Sequence, residues 1–241
     1  MNEAVETFRS VLLQNERPVW IRAPRNARTA TRLTLFLDGE LYRERVGAVS
    51  VIDGLADALA DSWFVFVSTC NIDARWRECP CHRPFAGFIV EELLPWLSNR
   101  FLGLGGTREN VIAGLSYTGL AAAFIALEYP HAFQRVIAQS GSFWWNDGWL
   151  TKEFNRRPVS STPAFYLDVG RRETQEYVQH RADVLQIVSQ RDGVLGFRDA
   201  LLERDVPVKY LEFDGGHEFA AWRQTLPGAL EWALPRDCEG R

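Results

Sequence analysis

Residues 111–125, Val-Ile-Ala-Gly-Leu-Ser-Tyr-Thr-Gly-Leu-Ala-Ala-Ala-Phe-Ile, constrain this chain more than any other stretch. A short apolar run reaches Gly114, and a serine follows at Ser116. From Gly119 the composition turns to alanine, leucine and isoleucine, residues that suit a helix. The pattern predicts strand, sharp turn and helix, with a serine hydroxyl at the apex. A nucleophile elbow needs that arrangement: tight backbone, exposed hydroxyl, and a helix N-terminus directly behind it. One position is irregular. G-x-S-x-G would place its second glycine at 118, where Thr118 stands, and Gly119 comes one residue late. Thr118 is expected to turn its side chain into a small gap beside the central strands.

The rest of the chain alternates strand and helix around this stretch. Residues 4–13 fit a helix face (Val5, Phe8, Val11, Leu12) and also an extended strand (Phe8, Ser10, Leu12). Strands are expected at 19–24, 32–37, 63–68, 110–114, 134–138, 164–169 and 207–213. Helices are expected at 48–59, 84–96, 119–128 and 220–234, and over most of 174–205 with a break at Asp192-Gly193. Residues 24–31 read as a turn, 70–84 as a long polar connection, and 139–149 as a turn and a tryptophan-rich loop. Trp63-Phe64-Val65-Phe66-Val67 is continuously apolar, as in a strand covered on both faces by helices. The early strands 19–24 and 32–37 read as an antiparallel edge. The expected fold class is a three-layer α/β domain with a mostly parallel sheet and an antiparallel N-terminal edge. At 241 residues the chain is long enough for one core, so a single domain over 1–241 is expected.

Composition narrows the partners. A net charge of -4 with 46% hydrophobic residues gives no reason to expect nucleic acid or an acidic membrane surface. Lys152 and Lys209 are the two lysines, so arginine carries almost all the positive charge. No apolar run reaches the length of a membrane span. The first residues, Met-Asn-Glu-Ala-Val-Glu, lack the basic and apolar regions of a secretory leader, and a cytoplasmic location is expected. Four cysteines in a chain this long do not make a disulfide framework.

In this fold class, function sits outside the carboxyl ends of the strands. Asp38-Gly39-Glu40 follow the strand at 32–37, Ser116 follows 110–114, Gly170-Arg171-Arg172-Glu173 follow 164–169, and Asp214-Gly215-Gly216-His217 follow 207–213. A hydroxyl, an acid and a histidine thus occur in the chain order that α/β-hydrolase triads use. Ser116 is the nucleophile candidate and needs an adjacent base. Of the four histidines, His82, His131, His180 and His217, only His217 sits just beyond an apolar strand, after two glycines that let the loop turn back. It is the base candidate. Glu173 is the favoured acid, with Asp168, Asp183, Asp192 and Asp214 as rivals and a Ser–His pair as the alternative. Ser140 and Ser142 read as turn and pocket-floor residues. The oxyanion donors are expected to be the backbone N–H groups of Tyr117 and Glu40. Trp144, Trp145 and Trp149 suggest an aromatic rim.

Two other motifs point elsewhere and are set aside. Cys79-Pro80-Cys81-His82, with Cys70 upstream, lacks the zinc-knuckle spacing and a second cysteine pair, so no metal is expected. Gly103-Leu104-Gly105-Gly106-Thr107 lacks the P-loop lysine and a preceding strand, so no nucleotide cofactor is expected.

Taken together, Leu37-Asp38-Gly39-Glu40, Arg75-Trp76-Arg77-Glu78-Cys79-Pro80, Glu91-Glu92-Leu93-Leu94-Pro95-Trp96, Val111 to Ser116, Glu128 to Phe133, Gln139 to Trp145 and Asp214 to Glu218 resemble one group. It is the α/β-hydrolase esterases of the esterase D type, and within them the enterochelin (enterobactin) esterases. The resemblance spans about residues 18–232. It implies an α/β-hydrolase fold, no cofactor, and hydrolysis of the ester bonds in the trilactone of a catecholate siderophore, an iron–siderophore complex being the small-molecule partner. It places Ser116 and His217 on the family's catalytic serine and histidine, and Glu173 where related esterases carry an acid. Arg75 and Glu78 fall on an Arg and a Glu of the family segment and are expected to organise the site by pairing with each other. Two departures stand out, Thr118 for glycine and Cys79 for leucine, and a catalytic domain alone, without the larger members' separate N-terminal domain, is expected. A general carboxylesterase or acyltransferase acting on small or aromatic acyl esters is the alternative. A non-catalytic binding protein of the same fold is the contrasting class.

Overall fold

Alternate side chains of the central strands point into two separate cores, which sets the three layers. The computed structural model describes residues 3–25, 27, 30–101, 103, 104, 107, 109–158 and 162–235. The strands are β1 Glu3–Ser10, β2 Asn15–Arg22, β3 Arg32–Phe36, β4 Ser62–Val67, β5 Glu109–Leu115, β6 Arg135–Gln139, β7 Ala164–Gly170, β8 Val178–Arg181, β9 Val184–Gln186 and β10 Val208–Phe213. The helices are α1 Gly39–Leu41, α2 Ala48–Gly54, α3 Ile72–Glu78, α4 Arg83–Gly87, α5 Leu94–Arg100, α6 Tyr117–Glu128, α7 Trp145–Arg156, α8 Gln190–Leu202 and α9 Phe219–Ala233. π-helical stretches follow α1 (Tyr42–Val46) and join α4 to α5 (Phe88–Leu93).

The main sheet has the order β1-β2-β4-β3-β5-β6-β7-β10. β2 pairs antiparallel with β1 and β4, and the pairs from β4 to β10 are parallel. Phe64, Phe66, Val111, Ala113 and Ile137 enter one core with Tyr42, Ile52, Trp222 and Leu226. Val65, Val67, Ile112, Val136 and Leu167 enter the other with Phe85, Phe88, Phe124, Phe143 and Phe197. Strands covered on both faces need no polar alternation, which is why β4 reads as one apolar run. Helix α6 is buried from Tyr117 through Ala126, as expected of a helix that is apolar all round. The small alanines let it lie close on β5 and β6.

Four expectations change. The segment at 32–37 is not part of the antiparallel edge: β3 lies inside the sheet, parallel to β4 and β5, and β1 with β2 forms the edge. The connection at 70–84 contains α3, which Asn71 caps by accepting the Ala74 N–H through its side chain, a favourable N-cap. The tryptophan-rich stretch runs into α7, whose first residues Asn146, Asp147 and Gly148 keep positive φ. Residues 174–205 are not one helix: β8 and β9 form a hairpin, and α8 starts only at Gln190. Gly193 does not break α8. It lies against Trp144, where a Cβ would sit 2.8 Å from the Trp144 backbone nitrogen, so it serves close packing. Parts of the 24–31 and 103–107 stretches lie outside the described residues.

Candidate active site

Ser116 stands at the turn between β5 and α6 with φ 53° and ψ -120°. A non-glycine residue holds such a backbone only where its surroundings over-determine it. Here Ser116 N–H donates to Gln139 O on β6 at 2.8 Å, and Ser116 O accepts from Ser142 N–H at 3.0 Å. Gly114 makes the turn sterically possible, since a Cβ there would lie 2.0 Å from the Thr118 carbonyl oxygen. The turn leaves the Tyr117 N–H at the start of α6, among the amides that a helix cannot satisfy internally.

His217 returns to this turn because the loop after β10 is sewn to the loop after β7. Arg171 N–H donates to Phe213 O at 2.9 Å and Arg172 N–H to Gly215 O at 3.0 Å. His217 Nε2 then lies 2.9 Å from Ser116 Oγ, and His217 Nδ1 lies 2.6 Å from Glu173 Oε2. The other oxygen of Glu173 accepts from Ser140 Oγ and from Gly170 N–H, each at 2.7 Å. Two donors already fix its other oxygen and the carboxylate acts as acceptor; with His217 Nδ1–H donating to it, Nε2 is free to accept from Ser116. The His217 ring edge packs on Trp222 at 4.8 Å.

A buried polar network supports this line from below. Ser140, with φ 44°, accepts from Trp222 Nε1 at 2.9 Å while it donates to Glu173. Its N–H donates to Asp168 Oδ1 at 3.0 Å, and Thr225 Oγ1 donates to Asp168 Oδ2 at 2.6 Å. Burial pushes the Asp168 carboxyl up to about 7, against the Thr225 and Ser140 hydrogen bonds, which favour its charged form.

Above the serine is a cleft of about 400 Å³ whose lining includes Ser116, His217 and Glu173. Its walls are aromatic. Trp76 meets Tyr117 edge-on at 4.5 Å, Tyr117 meets Trp144 at 5.8 Å, and Trp144 stacks on His180 at 5.0 Å with the planes 7° apart. Arg75 and Arg172 add cationic groups to the lining. His180 comes from the β8–β9 hairpin, which Arg181 ties to Asp73 of α3 at 3.1 Å.

A model of the esterase family, described as "Putative esterase", matches residues 10–233. The chain belongs to that esterase family. It is 27% identical over 241 residues to the iron(III) enterobactin esterase of Dickeya dadantii (strain 3937), covering 95% of this chain and 54% of that one. The iron(III) enterobactin esterase of Escherichia coli (strain K12) is 26% identical over 233 residues, covering 92% and 55%. The crystal structure of the enterobactin esterase from Shigella flexneri in the presence of 2,3-di-hydroxy-N-benzoyl-glycine matches with a TM-score of 0.81 at 25% identity, covering 97% of this chain and 59% of that one. The chain thus spans about half the length of the curated relatives it matches.

In this esterase-family chain the sequence-predicted residues fall into three groups. Ser116, His217 and Glu173 meet in hydrogen-bonded line, and Tyr117, Arg75 and Trp144 line the cleft with them. Glu40 does not line the cleft. It follows the buried Asp38 at the start of α1, and its side chain accepts from Ser68 Oγ at 2.9 Å; burial pushes its carboxyl up. Arg75 and Glu78 do not pair with each other. Arg75 Nη2 bonds Asp38 at 2.8 Å, and Glu78 bonds Arg17 at 2.9 Å in the core beneath Phe88. Arg75 takes its partner from the turn after β3 and the buried Glu78 from β2, because a buried charge left unpaired would be costly. Trp145 packs on Trp149 and stays outside the cleft. Sequence reasoning missed Trp76 and His180. Two short apolar-containing runs around Ala182-Asp183 were the available sign of the hairpin.

Proposed function

We propose that this chain is a serine esterase for esters with an aromatic acyl arm, the trilactone of a catecholate siderophore being its natural ester. The observation that carries the proposal is the hydrogen-bonded line Ser116–His217–Glu173 at the floor of an aromatic, arginine-bearing cleft. The similarity to iron(III) enterobactin esterases supports the substrate class.

Ser116 Oγ attacks the acyl carbon while His217 Nε2 takes its proton, and Glu173 stabilises the imidazolium that forms. The Tyr117 N–H holds the oxyanion of the tetrahedral intermediate, with the loop at Gly39-Glu40 the expected source of the second donor. Collapse passes the Nε2 proton to the leaving alkoxide and leaves an acyl-enzyme on Ser116. Water then attacks that ester, giving its proton to His217. The second collapse returns the proton to Ser116 and frees the acid. With its side chain 40% exposed, His217 is open to that water.

Aromatic contacts are worth about 0.5–1.5 kcal/mol each beyond area burial. Two such contacts, from Trp76 and Trp144, favour an aromatic acyl arm by roughly 10–100-fold over a short alkyl one. Initial rates on a catecholate trilactone, an aromatic acyl ester and p-nitrophenyl butyrate, with Ser116→Ala as control, test this. The trilactone should lead in kcat/KM and Ser116→Ala should be inactive on all three. Equal or better turnover of the butyrate would overturn the substrate class, and an active Ser116→Ala would overturn the mechanism.

A further inference from the structure

We propose that Thr118 is a positioning residue that locks the nucleophile turn to the loop bearing the second oxyanion amide. Its side chain is fully buried. Thr118 Oγ1 lies 2.9 Å from Asp38 Oδ2 and accepts the Leu115 N–H at 3.0 Å; Leu115 O is also 2.9 Å away. A hydroxyl has one hydrogen, and a carboxylate is the stronger acceptor. The hydrogen therefore points to Asp38, giving the chain Leu115 N–H to Thr118 O–H to Asp38.

Both ends of that chain matter. Leu115 immediately precedes Ser116, and Asp38 immediately precedes Gly39-Glu40. Asp38 holds φ 53°, and Ser116 holds φ 53° as well. Two strained backbones, one on each side of the expected oxyanion position, are thus joined by a single hydroxyl. Asp38 is fixed from its other side by Thr69 Oγ1 at 2.9 Å and by Arg75. Arg75 also reaches the Tyr117 ring at 6.0 Å. A glycine at 118, as G-x-S-x-G would have it, cannot make this link.

The inference rests on the serine-esterase reading, and the test separates the two. Thr118→Val swaps the hydroxyl for a methyl group, and Thr118→Ser keeps the hydroxyl. Active sites are counted with a fluorophosphonate, and kcat and KM are then measured per titrated site on an aromatic acyl ester. Losing one oxyanion donor costs about 10²–10³ in kcat, and misaligning one costs less. Thr118→Val should therefore lose roughly 10–100-fold in kcat per site with KM within about twofold. Thr118→Ser should recover to within about threefold of wild type. A merely structural role would lower the number of titrated sites and leave kcat per site intact, which would overturn the proposal. Equal losses in Val and Ser variants would overturn it too. If Thr118→Val gives no soluble protein, Thr118→Gly against Thr118→Ser makes the same comparison. An active Ser116→Ala would overturn both readings; an inactive one beside a fully active Thr118→Val would overturn only this one.

Discussion

Glu173→Gln is the sharpest perturbation of the site. Glutamine keeps the shape of the side chain and removes its charge. Ser140 Oγ–H and Gly170 N–H both donate to one oxygen of Glu173, so the amide oxygen must stay on that side. The amide NH₂ then faces His217 Nδ1, 2.6 Å away in the wild type. Two donors cannot share that contact. His217 would shift its proton to Nε2, pointing it at Ser116, and could no longer act as base. The charge loss adds to this. Unit charges about 4 Å apart attract by about 4 kcal/mol at an effective dielectric of about 20, a factor of roughly 10³ in rate. Solvent at the exposed edge of His217 screens part of that term, while the tautomer error works in the same direction as the charge loss. The expected result is a drop in kcat of about 10³ or more, with little change in KM and the thermal transition retained. Steady-state hydrolysis of an activated aromatic ester reads this directly. A loss below about tenfold would refute the role of Glu173 and the tautomer argument with it.

Three further outcomes follow from the same geometry. Asp168, pushed up to about 7 by burial, keeps a proton in the folded chain over a range where the unfolded chain has lost it. Its contribution to stability is full below about pH 4 and lost as the pH rises through about 7. Asp168→Asn should therefore gain in Tm relative to wild type between about pH 5 and pH 8, and a Tm difference that is flat with pH would contradict this. Gly114→Ala places a methyl 2.0 Å from the Thr118 carbonyl oxygen; it should abolish activity and lower the thermal transition markedly, and an active, stable variant would be incompatible with the turn. His180→Ala removes the ring stacked on Trp144. It should raise KM for aromatic acyl esters by roughly 3–10-fold and leave short alkyl esters within about twofold, so a uniform change would count against an aromatic wall.

Much of the hydrogen-bonded line was legible because each of its residues follows a strand with its own local signal. Ser116 sits between an apolar run and an alanine-rich helix, and His217 follows two glycines. Glu173 was harder, since several acids compete nearby. What singles it out is its contact with His217 Nδ1 at 2.6 Å, which forms only in the fold. The direction of β3 was not legible, because neither its length nor its pattern says which neighbours it takes. Arg75 and Glu78 are three residues apart, a spacing that suggests a helix pair. Their actual partners are Asp38 and Arg17, far away in sequence, because burial rewards the best-placed opposite charge. The hairpin at 178–186 was hidden for a related reason. Its polar composition carries no strong period, and His180 is placed by stacking on Trp144 rather than by local propensity. Thr118 is irregular for the motif and is buried, as expected; its bond to Asp38 was not legible, because the two residues meet only in the fold.

In the proposed reaction Ser116 carries the acyl group, and rapid-quench mass spectrometry of the protein mixed with an activated aromatic ester detects that adduct. One acyl adduct per chain should appear before steady state, map to the peptide containing Ser116, and be absent from Ser116→Ala. An adduct on another residue, or unchanged turnover by Ser116→Ala, would contradict the account.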